Sequence, residues 1–274
     1  MATDFFVSIL TPTLNCAATL RETLDSVETL AEKLPGQIQH LIGDGGSTDG
    51  TMDQLAEYVR RNPWAAVHVL PGKSIPLTLD ALLPEARGRW ITVLNGDDTL
   101  DVSNMASLLA ADNLPKGPAI ICGDMEMYAV DGKKIGVRTC NVDQLNRFMS
   151  VSHPGMLADK RVFDRIGCFG PDAPSAYDYI WTWRAYRIGI PFDYRPLTLA
   201  RFRLGGVSQR RLRRAQWEIF CAKRKAGAGF MAWQPYLTFL IKYAIKQVLP
   251  TAARRRVVAA YRQAVFSIDR YVDP

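Results

Sequence analysis

Apolar and polar positions follow two different rhythms along the first half of the chain. Short apolar runs at 5–10, 38–43, 66–70, 90–94 and 119–122 have the length of buried strands. Between them lie segments of longer period: 17–33, with Leu20, Leu24, Val27 and Leu30 at helical spacing, then 51–61, 77–86 and 103–111. Strands alternating with helices predict parallel βαβ units, with helices on both faces of one sheet. Past residue 123 the rhythm changes. Segments 126–129 and 134–139, joined through Asp131-Gly132, predict a β-hairpin. A polar helix over 142–149, a loop at Ser152-His153-Pro154-Gly155, and helices at 160–166 and 176–188 follow. From Arg201 the chain reads as helical and basic, ending in helices at 236–249 and 252–271. No internal repeat or low-complexity linker interrupts it.

Composition narrows the class. A chain of 274 residues that is 48% hydrophobic suffices for one large domain, or one domain with an appendage. There is no run of about 18 apolar residues, so no conventional transmembrane helix is expected. Met1-Ala2-Thr3-Asp4 lacks the basic segment and apolar stretch of a secretory leader. Five dispersed cysteines, none in CxxC spacing, fit reduced thiols in a cytosolic protein and argue against a zinc site. The net charge of +7 conceals an asymmetry. From Arg201 onward there are 16 Lys and Arg against 3 Asp and Glu, whereas the first 200 residues hold 18 basic and 24 acidic groups. A slightly acidic body therefore carries a strongly basic tail, the pattern of a segment that faces something anionic.

The chemistry concentrates where ligands bind in such sheets, beyond the carboxyl ends of the strands. Three segments qualify: Thr11-Pro12-Thr13-Leu14-Asn15, Asp44-Gly45-Gly46-Ser47-Thr48-Asp49-Gly50, and Asn95-Gly96-Asp97-Asp98. The glycines of the second let backbone N–H groups approach a phosphate or nucleoside. Its acids suit a base or sugar better than a phosphate, so a nucleotide read through its nucleoside end is expected. Asp49 is assigned a structural part, capping the helix that starts at Thr51. In the third segment two adjacent acids end an apolar strand, where repulsion is costly unless a cation or polar ligand compensates. An N-cap duty for this pair is unnecessary, since Ser103 is placed to cap the next helix. Hard oxygen ligands of this kind suit Mg²⁺ or Mn²⁺, which also take phosphate oxygens.

Taken together with Val7-Ser8-Ile9-Leu10 before the first segment, these stretches resemble the family 2 glycosyltransferases. The similarity continues in His153-Pro154-Gly155, Ala176-Tyr177-Asp178-Tyr179 and Phe202-Arg203-Leu204-Gly205-Gly206-Val207-Ser208, and covers roughly 5–210. The resemblance implies an α/β chain with the GT-A, Rossmann-like fold: a mixed, mostly parallel central sheet plus a helical, basic C-terminal extension. It implies a catalytic domain over 1–208, with a donor half (1–123) and an acceptor half (124–208), then a basic amphipathic region over 209–274. It further implies inverting transfer from a nucleotide-diphosphate sugar, a UDP-sugar, to a polysaccharide or lipid-linked acceptor with Mn²⁺ or Mg²⁺. By position, Thr11, Pro12, Thr13, Asn15, Asp44, Gly45, Asp80, Asn95, Gly96, Asp97 and Arg203 would line the nucleotide-sugar site. Asp44 would contact the base, Asp98 would be the chief metal ligand, and Asp178 would be the base for the acceptor hydroxyl. His153 would face the active site or acceptor. Two positions depart from the family pattern. Asn95 stands where the metal motif often begins with an acid, and Lys73 replaces an acid in 70–76. Gly72-Lys73-Ser74 is not a phosphate-binding P-loop, for the glycine four residues upstream is missing.

The tail has its own reading. Segment 236–249 is apolar nearly all round with Lys242 and Lys246 one turn apart, flanked by Arg210-Arg211, Arg213-Arg214 and Arg254-Arg255-Arg256. A helix in the headgroup region of an anionic membrane fits this pattern, as does one packed on the body or in a dimer contact. Nucleic acid is disfavoured, because no binding-module signature is present. A cytoplasmic protein, peripheral on the inner face of the plasma membrane, is the expected setting. The rival readings are a nucleotidyltransferase of similar design, which would release pyrophosphate, and a membrane-bound scaffold without turnover.

Overall fold

The computed structural model describes residues 5–205 and 211–228, together with 233, 236, 237, 239 and 240. The chain begins β1 (Val7–Thr13), α1 (Ala17–Lys33), β2 (Ile38–Asp44), α2 (Thr51–Arg61), β3 (Ala65–Val69), α3 (Ile75–Leu82) and β4 (Trp90–Val93). It continues through β5 (Thr99–Leu100), α4 (Val102–Leu109), β6 (Ile120–Tyr128), β7 (Lys134–Arg138), β8 (Leu157–Asp159) and α5 (Lys160–Ile166). The last described elements are α6 (Tyr177–Arg187), β9 (Phe192–Arg203) and α7 (Leu212–Lys225). Among the described residues nine strands form one sheet in the order β3-β2-β1-β4-β8-β6-β9-β5, with β7 beside the second half of β6. The first four are mutually parallel. Beyond them β8 runs antiparallel to β4 and β6, and β5 antiparallel to β9. The sheet is thus mixed, as expected for a GT-A fold.

Alternating side chains sort onto the two faces, as strand geometry requires. Leu10, Ile91, Val93 and Ile120 pack with Leu79 and Leu82 of α3, Val162 and Phe163 of α5, and Trp181 of α6. Val7, Ile9, Trp90 and Ile121 pack on the other side with Val27 and Leu30 of α1 and Met105 and Leu108 of α4. Helices cover both faces.

Several expected elements are corrected. The strand at 119–122 and the first hairpin strand are one strand, β6, which pairs with β8 through its first residues and with β7 through its last. The polar helix over 142–149 reduces to a single turn at Val142–Gln144, capped by Asn141. Residues 201–203 are not helical but end β9, whose Arg201 and Arg203 pair with Glu126 and Tyr128. Helix α4 is capped by Asp101, whose carboxylate accepts from Asn104 N at 3.1 Å, rather than by Ser103. The three short or late strands β5, β8 and β9 lack the uninterrupted apolar run by which a buried strand is recognised. The helices expected over 236–249 and 252–271 lie, apart from residues 236, 237, 239 and 240, outside the described residues.

Candidate active site

The carboxyl ends of β1, β2 and β4 lie along one edge of the sheet, and the three candidate segments meet there. Asp44, the last residue of β2, is fully buried. Its Oδ1 accepts from Gly46 N (2.9 Å) and Ser47 N (2.8 Å), and its Oδ2 from Thr13 Oγ1 (3.0 Å) and Ser47 Oγ (2.6 Å). A carboxylate offers about four acceptor positions, and four protein donors fill them. Burial opposes the charge, but these bonds outweigh it and hold Asp44 below the usual carboxylate range. Asn15, at φ +49°, accepts from Thr48 N (2.9 Å), while its own N–H donates to Ser47 Oγ (2.8 Å). Asp49 accepts from Ala17 N (3.1 Å) and from both N and Oγ1 of Thr51, and so ties the start of α1 to that of α2, but the N-cap of α2 is Gly50, at φ +93°, and not Asp49 as expected. Gly45 N donates to Thr13 O at 2.9 Å. The first two segments are therefore clasped into one wall. Pro12 is buried in this wall, in register with Gly43.

Thr11 points elsewhere. Its hydroxyl lies 2.8 Å from His40 Nε2, and His40 Nδ1 lies 3.0 Å from the Tyr58 hydroxyl, all three side chains being buried. Burial lowers His40 to about 3, so the imidazole is neutral.

The end of β4 carries the other wall. Gly96 is required there: a Cβ would lie 2.8 Å from Cys16 Sγ and 3.3 Å from Thr13 Cγ2. Asn95 Nδ2 donates to Asp98 Oδ2 at 2.9 Å, and Arg203 N, at the end of β9, donates to Asp98 Oδ1 at 3.1 Å. Asp98 is nonetheless pushed up to about 8, first by burial and then by the charge of Asp97. Burial also raises Asp97, against the field of Arg203. Two carboxylates held this way need positive charge, and the Arg203 guanidinium is engaged with Glu22 of α1 at 2.6 Å. Among the described residues no group of three or more His, Cys, Asp and Glu gathers that could hold a metal ion by itself. A cation at this point would be held by Asp98 beside Asp97 and would complete its shell with oxygens from a ligand.

Across from this pair stands the first turn of α6, with Tyr177 and Asp178. The buried Tyr177 hydroxyl is raised well above its ordinary range by burial and then by the charges of Asp178, Asp98 and Asp97. Tyr177 therefore lies within electrostatic reach of Asp178 on its own helix and of the β4 pair. His153 is buried with its ring edge-on to Tyr177 (5.7 Å) and Phe169 (5.8 Å); burial lowers it, opposed by Asp178. Pro154 forms a bridge to Val93, so the His153 loop is pinned to the end of β4. Arg138, the last residue of β7, is also within the field of Asp178, which counters the lowering that burial imposes on it. Nothing in the sequence singles out Arg138, since an arginine in a polar hairpin strand looks like a solvated one. Tyr177 lay inside the motif around Asp178 but carried no assigned role. Asp80 stands apart from these groups: both its oxygens accept backbone N–H groups, from Phe169 and Gly170 at 2.8 Å each. Lys73 is exposed.

With this geometry in place, comparison with known proteins is decisive. The model of the family described as "Glycosyl transferase family 2" matches residues 8–169. The chain belongs to glycosyl transferase family 2. The match spans the Asp44 wall, the Asp97-Asp98 pair and His153, and ends short of Asp178 and Arg203. Among curated relatives of this family 2 chain is "PGL/p-HBAD biosynthesis glycosyltransferase" from Mycobacterium bovis, 28% identical over 170 residues, which are 61% of this chain and 64% of that protein. The chain thus spans somewhat under two thirds of that relative's length. Solved structures share the fold. TarS of S. aureus, residues 1–349 in complex with UDP, aligns with a TM-score of 0.60 at 16% identity, covering 95% of this chain and 81% of that one. A mannosyltransferase of Pyrobaculum calidifontis in complex with GDP-Man and Mn²⁺ aligns with a TM-score of 0.58 at 16% identity, covering 93% and 80%.

Proposed function

We propose that the chain is an inverting glycosyltransferase that moves a sugar from a UDP-sugar, with a divalent cation, to a hydroxyl of a polysaccharide or lipid-linked acceptor. The observation that carries the reading is the meeting of the Asp44 wall with the Asp97-Asp98 pair at the ends of β2 and β4, where the His153 loop, bridged to Val93 and edge-on to Tyr177, brings in the first turn of α6. The clasped wall of Thr13, Asn15, Asp44 and Gly45 receives the nucleoside, and a base that bonds Asp44 replaces the Ser47 hydroxyl there. Asp98, with Asp97 and Asn95 beside it, would hold Mn²⁺ or Mg²⁺, which would supply positive charge for a leaving nucleoside diphosphate. Asp178 takes the proton of the acceptor hydroxyl from the side opposite the leaving group, as inversion needs. His153 orients the acceptor beside it. Arg203 contributes its backbone N–H to Asp98, and Asp80 sets the loop at Phe169 and Gly170.

The test is thermal unfolding with a panel of nucleotide sugars, with and without Mn²⁺. A ligand that binds the folded state raises the melting temperature by mass action. A UDP-sugar is expected to do so only with Mn²⁺, and Asp98→Ala is expected to lose the response. If no nucleotide sugar stabilises the protein, or if Asp98→Ala responds like the parent, the reading is wrong.

A further inference from the structure

Helix α7 packs on the body with its polarity partly reversed. A helix on a globular surface ordinarily buries apolar side chains and exposes charged ones. Here Glu218 and Lys223 are buried, while Leu212 and Trp217 are each 50% exposed. The buried charges act as bolts. Glu218 accepts from Ser175 N at 2.8 Å and from Arg214 Nε at 2.9 Å. Lys223 Nζ donates to Asn146 O at 2.8 Å and lies over the rings of Tyr179 and Trp183, and burial lowers it to about 8. The outward side is extended by the residues that follow, for Trp233 and Tyr236 join Trp217 and Phe220 in one ring cluster with centroids 4.5–5.7 Å apart. Trp233, Leu237 and Leu240 are exposed with them. Arg211, Arg213, Arg224 and Lys225 are exposed on the same helix.

We propose that this face, Trp217 of α7 with Trp233, Leu237 and Leu240, is a docking surface for an anionic lipid bilayer. Tryptophan beside leucine and arginine is the composition that settles at the headgroup boundary, where indole rings lie between apolar and wet layers. Charge selects the occupant. The segment from Arg201 carries 16 basic and 3 acidic residues, so a second copy would bring like charge against like, whereas an anionic surface neutralises it. The bolt to Ser175 stands three residues before Asp178. A bilayer on the outer side of α7 is thus one helix removed from the segment that leads to Asp178, an arrangement suited to a lipid-borne acceptor. That last step rests on the proposed function; the docking itself does not.

The test is co-sedimentation of the full chain with phosphatidylcholine vesicles, with and without phosphatidylglycerol. Binding is expected at least tenfold stronger with the anionic lipid and falling with salt, at about fivefold per neutralised cation at low salt. Tryptophan emission is expected to shift to the blue and to be quenched by brominated lipid. Trp217→Ser with Trp233→Ser is expected to weaken binding about tenfold while keeping the parent's Mn²⁺-dependent response to donor. Equal binding to both vesicle types, no binding, or an unchanged double variant overturns the proposal. So does light scattering that shows a dimer which the double variant disperses, for the face is then a contact between copies. Donor stabilisation without vesicle binding sinks this proposal alone; vesicle binding without donor stabilisation sinks the glycosyltransferase reading alone.

Discussion

His40 shows how much a single buried side chain contributes beneath the site. It joins Thr11 of β1 to Tyr58 of α2, so it fixes the floor on which the Asp44 wall is built. Its ordinary pKa is 6.5, and burial lowers it to about 3 in the folded protein. Between those values the unfolded chain binds a proton that the folded chain does not, so stability falls as pH drops from about 6.5 toward 3 and is level above. The expected loss is roughly 5 kcal/mol across that window. Urea unfolding at a series of pH values measures it, and His40→Gln is expected to flatten the acid slope to the background of the other groups. An unchanged slope would remove His40 from this account. At this scale the sequence makes legible relations within one contiguous motif, such as the contact of Asn95 with Asp98. It does not single out Arg138 or Tyr177, nor show that Thr11 turns inward to His40, because those relations arise only when separate strands and helices are set side by side.

Between elements, close approach decides what each position tolerates. Gly43 of β2 faces α3, and a Cβ there would lie 2.3 Å from Thr78 Cγ2. Gly43→Ala is expected to destabilise by about 1–3 kcal/mol through overpacking. Thr78→Ser, which removes that methyl, is expected to restore most of the loss when combined with it, and a double-mutant cycle in denaturant measures the coupling. Additive losses would mean that the clash is not what the glycine relieves. The same scale explains which elements were readable. The strands β1, β2 and β4 are buried on both faces and read as apolar runs, and α1 and α2 show their stripes plainly. β9 does not: Asp193, Arg195, Arg201 and Arg203 punctuate it, and its strand character comes from pairing with β6 and β5. β8 is three residues long, and only its neighbours make it a strand.

For the molecule as a whole, the site joins two regions that the sequence separates. On the proposed reading the Asp44 wall and the acid pair come from β1, β2 and β4, whereas Asp178 comes from α6, on which α7 is bolted. Asp178→Asn is therefore expected to lower release of nucleoside diphosphate in the presence of acceptor by about 10²- to 10⁴-fold. Its Mn²⁺-dependent response to donor in thermal unfolding should match the parent. Loss of both together would place Asp178 in donor binding instead. The fold was legible because strand and helix rhythms alternate over a long stretch. The far half of the site was not, because it depends on how α6 comes to face the end of β4. The loop around Asp44 has a last consequence. Its four donors to one carboxylate are satisfied within the chain, so its backbone is ordered when the protein folds. A nucleotide bound as proposed would meet a backbone already ordered, and the conformational entropy of that loop, lost before binding, would not weaken it. Association with the proposed donor should accordingly depend on encounter, on the cation and on release of the single Ser47 hydroxyl, with no step in which the backbone of this wall must first take shape.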